Sequence, residues 1–293
     1  MSGKDRTLGF IGLGAMGRGM ASNVARKHGG RVLVFDQIAE AIAAMVETGG
    51  EPASSIADLA HEAGVIFLSL PGGKQVAAVC QEIAKAAKPG TIVVDMSTTS
   101  VAEARACEAA LRQNGIAFAD APVARARAAA ADGTLSIMVG ASEALFAEIA
   151  PLLAYMGTDV NRCGEVGCGQ VVKIINNALL FEHVAALAEM MVTGERAGVA
   201  PATLLDVLAI SSADSFALRN HGMKAMLPRA FPEKAFPMDY TLKDLGYAIE
   251  LAESVGVAPR MPRLAGEYYQ AAIDAGMKEA YFPGIIEVID AKK

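Results

Sequence analysis

The segment Leu8-Gly9-Phe10-Ile11-Gly12-Leu13-Gly14-Ala15-Met16-Gly17 decides how this chain begins to fold. Its first four residues form an apolar run that reads as a buried strand, and Met16 to Lys27 carries helical periodicity. Between them stands the pattern G-x-G-x-x-G. The first glycine permits a tight turn, the second lets backbone approach a pyrophosphate, and the third allows close helix–strand packing. The helix N-terminus then stabilises the negative charge. Alone the match says little, because tight turns need no ligand. A strand before it and a helix after it supply the required context. Gly12, Leu13, Gly14, Ala15, Met16 and Gly17 are therefore assigned to a dinucleotide.

Working outward, Arg31 to Phe35 reads as a second strand closed by Asp36, about two dozen residues after Gly12. A carboxylate there accepts hydrogen bonds from adenosine ribose hydroxyls and repels the additional phosphate of NADP, so NAD is expected in preference. Arg31 stands at the start of the strand and not after it, so no 2′-phosphate clamp competes. Further apolar runs at 65–70, 91–95, 116–119 and 135–139 read as strands, with the helical stretch Ile38 to Glu47 between the second and third. Continuous apolar strands are buried on both faces, as in parallel sheets covered by helices. Alternation of this kind predicts an α/β, Rossmann-type, doubly wound parallel sheet over residues 1–163.

After Gly164 the texture changes. Gly167 to Arg196 is nearly unbroken, a helix of roughly 30 residues and about 45 Å. Its middle, Ala178 to Met191, is apolar almost all round, which predicts a buried central helix. Pro201 opens another helix at a position where its missing N–H does no harm. Met238 to Val255 and Met261 to Ala275 show the same period. An all-α C-terminal domain, 164–293, joined by the long central helix, is expected to carry substrate and oligomer contacts.

Composition bounds the function. The 293 residues exceed what one core usually organises. At 53% hydrophobic and 20% charged the chain is globular, and 5% aromatic content without Trp predicts aliphatic cores. A net charge of −6 without a basic block argues against nucleic acid. No apolar run is read as long enough to span a bilayer, so no membrane association is expected. Met1 to Thr7 lacks the cleavage region of a signal peptide. Cys80, Cys107, Cys163 and Cys168 read as reduced thiols of a cytoplasmic protein. His28, His61, His183 and His221 stand apart from other ligand types, so no metal site is expected.

Four segments, in order, resemble the β-hydroxyacid dehydrogenases, which include 3-hydroxyisobutyrate dehydrogenase. They are the Gly9–Gly17 opening, Asp95-Met96-Ser97-Thr98, Asp120-Ala121-Pro122-Val123, and Gly167-x-Gly169-x-x-x-Lys173-x-x-x-Asn177, with Lys243-Asp244 as a further pair. Read from the residues alone, Gly169, Lys173 and Asn177 lie at i, i+4 and i+8 along one helix face. A lysine there could simply snorkel; desolvation, by favouring a neutral amine, suits it equally to accept a hydroxyl proton. The resemblance implies the second reading, with Lys173 as general acid/base and Asn177 holding the oxygen or the ammonium. Gly169 would leave room for substrate or nicotinamide. It further implies Ser97 beside nicotinamide and substrate, Lys243 near substrate or cofactor, and Leu70-Pro71 over the adenosine. Homodimers or homotetramers built through the helical domain are implied as well.

One departure bears on the substrate. After Asp-Ala-Pro-Val the family commonly continues Ser-Gly-Gly, whereas Ala124-Arg125-Ala126-Arg127 stands here. The pattern resumes at Asp132-Gly133-Thr134-Leu135. Val123, Ala124 and Arg125 are assigned to substrate, with Arg125 binding an anionic group through its planar fork; an arginine facing solvent or another subunit is the alternative. The expected reaction is hydride transfer between NAD and the carbinol carbon of a small anionic hydroxy acid, or the corresponding aldehyde or semialdehyde. The alternatives are an NADP-dependent imine or aldehyde reductase and a non-catalytic dinucleotide-binding sensor or scaffold.

Overall fold

The sheet is built from β1 (Leu8–Ile11), β2 (Val32–Phe35), β3 (Glu51–Pro52), β4 (Val65–Leu68), β5 (Ile92–Asp95), β6 (Ala117–Asp120), β7 (Val123–Ala124), β8 (Leu135–Gly140) and β9 (Gly157–Gly164). It belongs to a computed structural model that describes residues 6–233 and 235–291. Met1 to Asp5, most of the segment read for a leader, lies outside the described residues. The connecting helices are α1 (Gly17–His28), α2 (Ala39–Val46), α3 (Ile56–Glu62), α4 (Gly73–Ala86), α5 (Val101–Arg112), α6 (Arg127–Asp132) and α7 (Glu143–Leu153). Strand order begins β3-β2-β1-β4-β5-β6, all parallel. This is the doubly wound Rossmann arrangement, with its switch point between β1 and β4.

Alternate strand residues project to opposite faces. Leu8, Phe10, Val34, Val65, Phe67 and Val94 enter one core, and Ile11, Leu33, Ile66, Leu68 and Val93 enter the other. Gly9 allows α3 to approach closely, since a Cβ there would lie 2.5 Å from Leu59 Cδ2.

Beyond β6 the sheet stops being purely parallel. Two residues separate β6 from β7, too few for a crossover. The chain turns, and β8 runs antiparallel to both β6 and β7 before β9 joins it in parallel. β3 and β7 have two residues each, too short for a periodic signal, and β9 reads Gly-Thr-Asp-Val-Asn-Arg-Cys-Gly without an apolar run. The polarity of β3 and β9 suits sheet margins.

The chain divides into two units at Lys173/Ile174, within α8 (Cys168–Arg196). The second unit continues with α9 (Pro201–Leu208), a π-helical segment (Leu218–Met226), α10 (Met238–Ser254), α11 (Arg260–Asp274), a 3-10 turn (Phe282–Gly284) and α12 (Ile285–Ala291). Pro201 occupies the first helical turn.

The structure departs from two expectations. The core of the helical unit is rich in aromatics rather than purely aliphatic: Phe181 meets Phe282 edge-on at 5.2 Å, and the Tyr269 hydroxyl donates to the Phe181 carbonyl at 3.1 Å. Such pairs add specific geometry to apolar burial. The second concerns α8, which is not buried all round. Phe181, Val184, Ala188 and Val192 face the core, while Ile175, Leu179 and Met190 are each about half exposed. By length and composition alone α8 is also long enough to span a bilayer, contrary to expectation. Lys173, Glu182 and Glu189 interrupt it.

Candidate active site

The turn from β1 into α1 is tightly constrained. Gly12 has φ +96°, its N–H donates to the Phe35 carbonyl at 2.9 Å, and a Cβ there would lie 2.2 Å from the Ser69 carbonyl oxygen. A Cβ at Gly17 would lie 2.0 Å from the Gly12 carbonyl oxygen. Gly14, by contrast, is exposed with open space around it. Met16 begins α1 without a side-chain cap, so the helix end presents its own N–H groups. Asp36 ties the loop to β2: Oδ2 accepts from Leu13 N–H at 2.6 Å and Oδ1 from Ile38 N–H at 2.9 Å. An ionised carboxylate has about four acceptor sites, so it retains capacity for ribose hydroxyls. The turn at the switch point, the open Gly14 and the half-buried Asp36 fit a dinucleotide.

Along the same sheet edge, β5 ends at Asp95 and β6 at Asp120, paired across the two strands. Ser97 is buried; its N–H donates to Asp95 Oδ1 at 3.0 Å, and its Oγ accepts from Leu70 N–H at 2.9 Å. Ser97 thereby holds the Leu70-Pro71 loop. Asp95 is fully buried, and among the described residues its Oδ2 has no hydrogen-bond partner. Loss of solvent raises its pKa to about 6 against the opposing hydrogen bonds from Ser97.

Asp120 sits against the start of α8. Its Oδ1 accepts from Gly167 N–H at 2.7 Å and its Oδ2 from Gln170 N–H at 2.8 Å. Burial raises this carboxyl to about 6 as well, with the backbone hydrogen bonds pulling the other way. Gly169 has a different reason from the one sequence suggested. A Cβ there would lie 2.3 Å from the Met138 carbonyl oxygen and 2.7 Å from Asp120 Oδ2, so the glycine's space is taken up by protein. One turn later Lys173 is 9% exposed, placed among buried side chains rather than at a solvated face.

In the helical unit, Asn177 is buried on α8 and donates Nδ2 to Asp244 Oδ2 at 2.7 Å. Lys243 Nζ lies 3.3 Å from Asp244 Oδ1 and over the rings of Tyr240 and Tyr247, 5.3 and 5.4 Å from their centroids. Val123 is buried and Ala124 half-buried on β7. Arg125 follows with φ 82°, a left-handed conformation natural to glycine. Its guanidinium donates to the Thr134 carbonyl at 2.5 Å, to Thr158 Oγ1 at 3.2 Å and to Asp159 Oδ2 at 2.7 Å. Arg127 opens α6.

A family model for the NAD-binding domain of 6-phosphogluconate dehydrogenase matches residues 7–167. A second, described as NAD-binding of NADP-dependent 3-hydroxyisobutyrate dehydrogenase, matches residues 167–289. The chain is 36% identical to 2-(hydroxymethyl)glutarate dehydrogenase of Eubacterium barkeri, over 97% of this chain and 95% of that one. It is 32% identical to NAD-dependent L-serine dehydrogenase of Pseudomonas aeruginosa, over 97% and 98% respectively. The chain belongs to the β-hydroxyacid dehydrogenase family. A solved structure of Mycobacterium tuberculosis 3-hydroxyisobutyrate dehydrogenase with L-serine superposes with a TM-score of 0.91 at 29% identity, covering 98% of this chain and all of that one.

This β-hydroxyacid dehydrogenase is thus an oxidoreductase with an NAD-binding domain. Its sheet edge gathers Ser97, Leu70 and the start of Lys173's helix, while Asn177, Lys243 and Asp244 meet in the helical unit. Arg125 is turned onto β9 through Asp159. Asp95, Asp120 and Gln170 were not singled out from sequence. All three lie inside the quoted segments without a role of their own there, and their polar character in largely apolar surroundings is the available signal.

Proposed function

We propose that this dehydrogenase moves a hydride between NAD and the carbinol carbon of a small anionic hydroxy acid, or reduces the matching aldehyde or semialdehyde. The three named relatives suggest the substrate class: 2-(hydroxymethyl)glutarate, L-serine and 3-hydroxyisobutyrate all carry a CH2OH group on the carbon next to a carboxylate. A 2-substituted 3-hydroxypropanoate is the skeleton they share.

Lys173 is assigned the proton. The observation that carries the assignment is its burial one turn along α8 from an N-terminus fastened to the ends of β5 and β6. In oxidation Lys173 Nζ accepts the hydroxyl proton, and in reduction it returns the proton to the carbonyl oxygen. Asn177, buried one turn further and held by Asp244, orients the same oxygen or the ammonium. NAD, when bound, supplies the hydride acceptor. Ser97 and the Val123–Arg125 segment are assigned to substrate, and Lys243 to substrate or cofactor, while Gly169 is left to the packing of α8 against Met138 and Asp120. The cofactor preference for NAD over NADP is supported by Asp36 at the end of β2.

Lys173→Ala is expected to retain NADH binding and lose at least about a hundredfold in turnover on hydroxy acids of this skeleton, the usual cost of a missing acid–base group. Near-normal turnover would remove the assignment. A homodimer or homotetramer is also proposed, supported by the half-exposed Ile175, Leu179 and Met190 on α8 and by Ile210 and Phe216, exposed at 87% and 63%. Light scattering that found only monomer at micromolar concentration would refute it.

A further inference from the structure

Gln170 is fully buried and uses both ends of its amide. Nε2 donates to the Ser97 carbonyl at 2.8 Å, and Oε1 accepts from Thr99 N–H at 3.1 Å. The opposite orientation would set amide N–H against N–H and oxygen against oxygen, so the two partners fix which way it points. Its own backbone N–H donates to Asp120 Oδ2. One residue therefore joins three elements: the loop after β5, the end of β6 and the first turn of α8.

Asp120 completes the fastening. Its carboxylate occupies a slot walled by two glycines, since a Cβ at Gly140 would lie 2.2 Å from Oδ1 and one at Gly169 2.7 Å from Oδ2. It meets two N–H groups at the end of a 29-residue helix, where a negative charge complements the helix dipole. A capping side chain normally comes from the residue just before its helix. This one comes from a strand 47 residues before Gly167, so it ties the helix to the sheet as well as capping it.

We propose that Gln170, acting with Asp120, is a positioning residue that sets the register of Lys173 against the Ser97 loop. The proposal rests on Lys173 being the proton-transfer group. Lys173 lies three residues after Gln170 on the same helix, so a shift of the first turn moves its Nζ by a comparable amount. Misplacement of a reacting group by about 1 Å can cost on the order of a hundredfold in rate.

The test combines Gln170→Leu, Gln170→Glu and Lys173→Ala in the full-length protein, with NADH binding followed by fluorescence. Gln170→Leu is expected to lose about 10- to 100-fold in kcat, with NADH affinity unchanged and no further loss when added to Lys173→Ala. Gln170→Glu is expected to recover, relative to the unmodified enzyme at the same pH, as pH falls. The protonated carboxyl can donate to the Ser97 carbonyl while accepting from Thr99 N–H; the ionised one cannot donate. The leucine variant has no such recovery, and if it fails to fold, the pH profile of Gln170→Glu decides. A full kcat for Gln170→Leu, equal losses with and without Lys173, or a flat relative profile for Gln170→Glu would each overturn the proposal while leaving Lys173 in its role. Near-normal turnover of Lys173→Ala by itself would remove the lysine assignment, and the proposal with it.

Discussion

Asn177 and Asp244 form a buried side-chain pair, amide Nδ2 to carboxylate Oδ2 at 2.7 Å, joining α8 to α10 within the helical unit. The bond is charge-assisted and removed from water, so it fixes the orientation of the Asn177 amide. Asp244→Ala is expected to remove the hydrogen bond that Asp244 Oδ2 accepts from that amide, at a cost of about 1.5–3 kcal/mol in orientation or stability. The expected result is a kcat lower by about tenfold or more, with NADH affinity retained. Asp244→Asn, which can still accept from Asn177, should lose less. Steady-state kinetics of the two variants side by side check this, and equal losses would show that charge rather than orientation matters.

Asp95 sets a pH dependence of stability. Its pKa in the folded protein is about 6, raised chiefly by burial, against about 3.9 in an unfolded chain. A carboxyl raised on folding binds more protons in the folded state between those values. Its contribution is fully present below the unfolded pKa and is lost as pH rises through about 6. The protein should therefore lose stability on the order of 2 kcal/mol from this group between pH 4 and pH 7. Asp95→Asn removes the titration and is expected to flatten that part of the profile. Urea melts at pH 5, 6 and 7 would show it; identical slopes in the two proteins would exclude Asp95 as the source.

Much of the first unit was legible because backbone needs leave a local signature. Gly12 takes a positive φ and Gly17 lies against the Gly12 carbonyl, needs that show within six residues of chain although Ser69 also closes on Gly12, and β1, β2, β4, β5 and β6 are apolar at nearly every position because both faces are covered. What sequence hid was contact between distant segments. Gln170 meets Ser97 across 73 positions and Asp120 across 50, and nothing local to any of them encodes the meeting. Gly169 shows the converse, a motif position legible in sequence whose structural reason lies in Met138 and Asp120. α8 was visible as a helix, but its half-exposed face was not, because an apolar residue looks the same whether it faces a core or a surface.

Arg125 keeps the backbone of a glycine. Its φ of 82° coincides with the first glycine of the family's Ser-Gly-Gly, and holding a non-glycine residue there costs roughly 1–2 kcal/mol. Arg125→Gly relieves this strain, whereas Arg125→Ala keeps it and loses the same guanidinium. The glycine variant is therefore expected to melt at a higher temperature than the alanine variant. If the guanidinium binds the substrate's anionic group, exchanging Asp159 for it, both variants should raise substrate KM about tenfold or more. An unchanged KM in Arg125→Gly would assign Arg125 to the Asp159 ion pair alone.

Asp36 fastens the glycine loop to the end of β2, and the proposed preference for NAD rests on the same side chain. Its carboxylate holds Leu13 N–H and Ile38 N–H, so in the proposed assignment loop geometry and the charge facing the adenosine ribose come from one side chain. Asp36→Ala removes both effects, and NADH affinity should fall about tenfold, as expected for a lost charge-assisted bond. Asp36→Asn separates them. Its amide oxygen can still accept from Leu13 N–H, but the charge that repels a 2′-phosphate is gone. NADH binding should weaken less than in the alanine variant while NADPH binding strengthens relative to the unmodified protein. Parallel fluorescence titrations with the two reduced cofactors measure the ratio. A preference for NADPH in the unmodified protein, or an unchanged ratio in Asp36→Asn, would show that Asp36 serves the turn and does not select the cofactor.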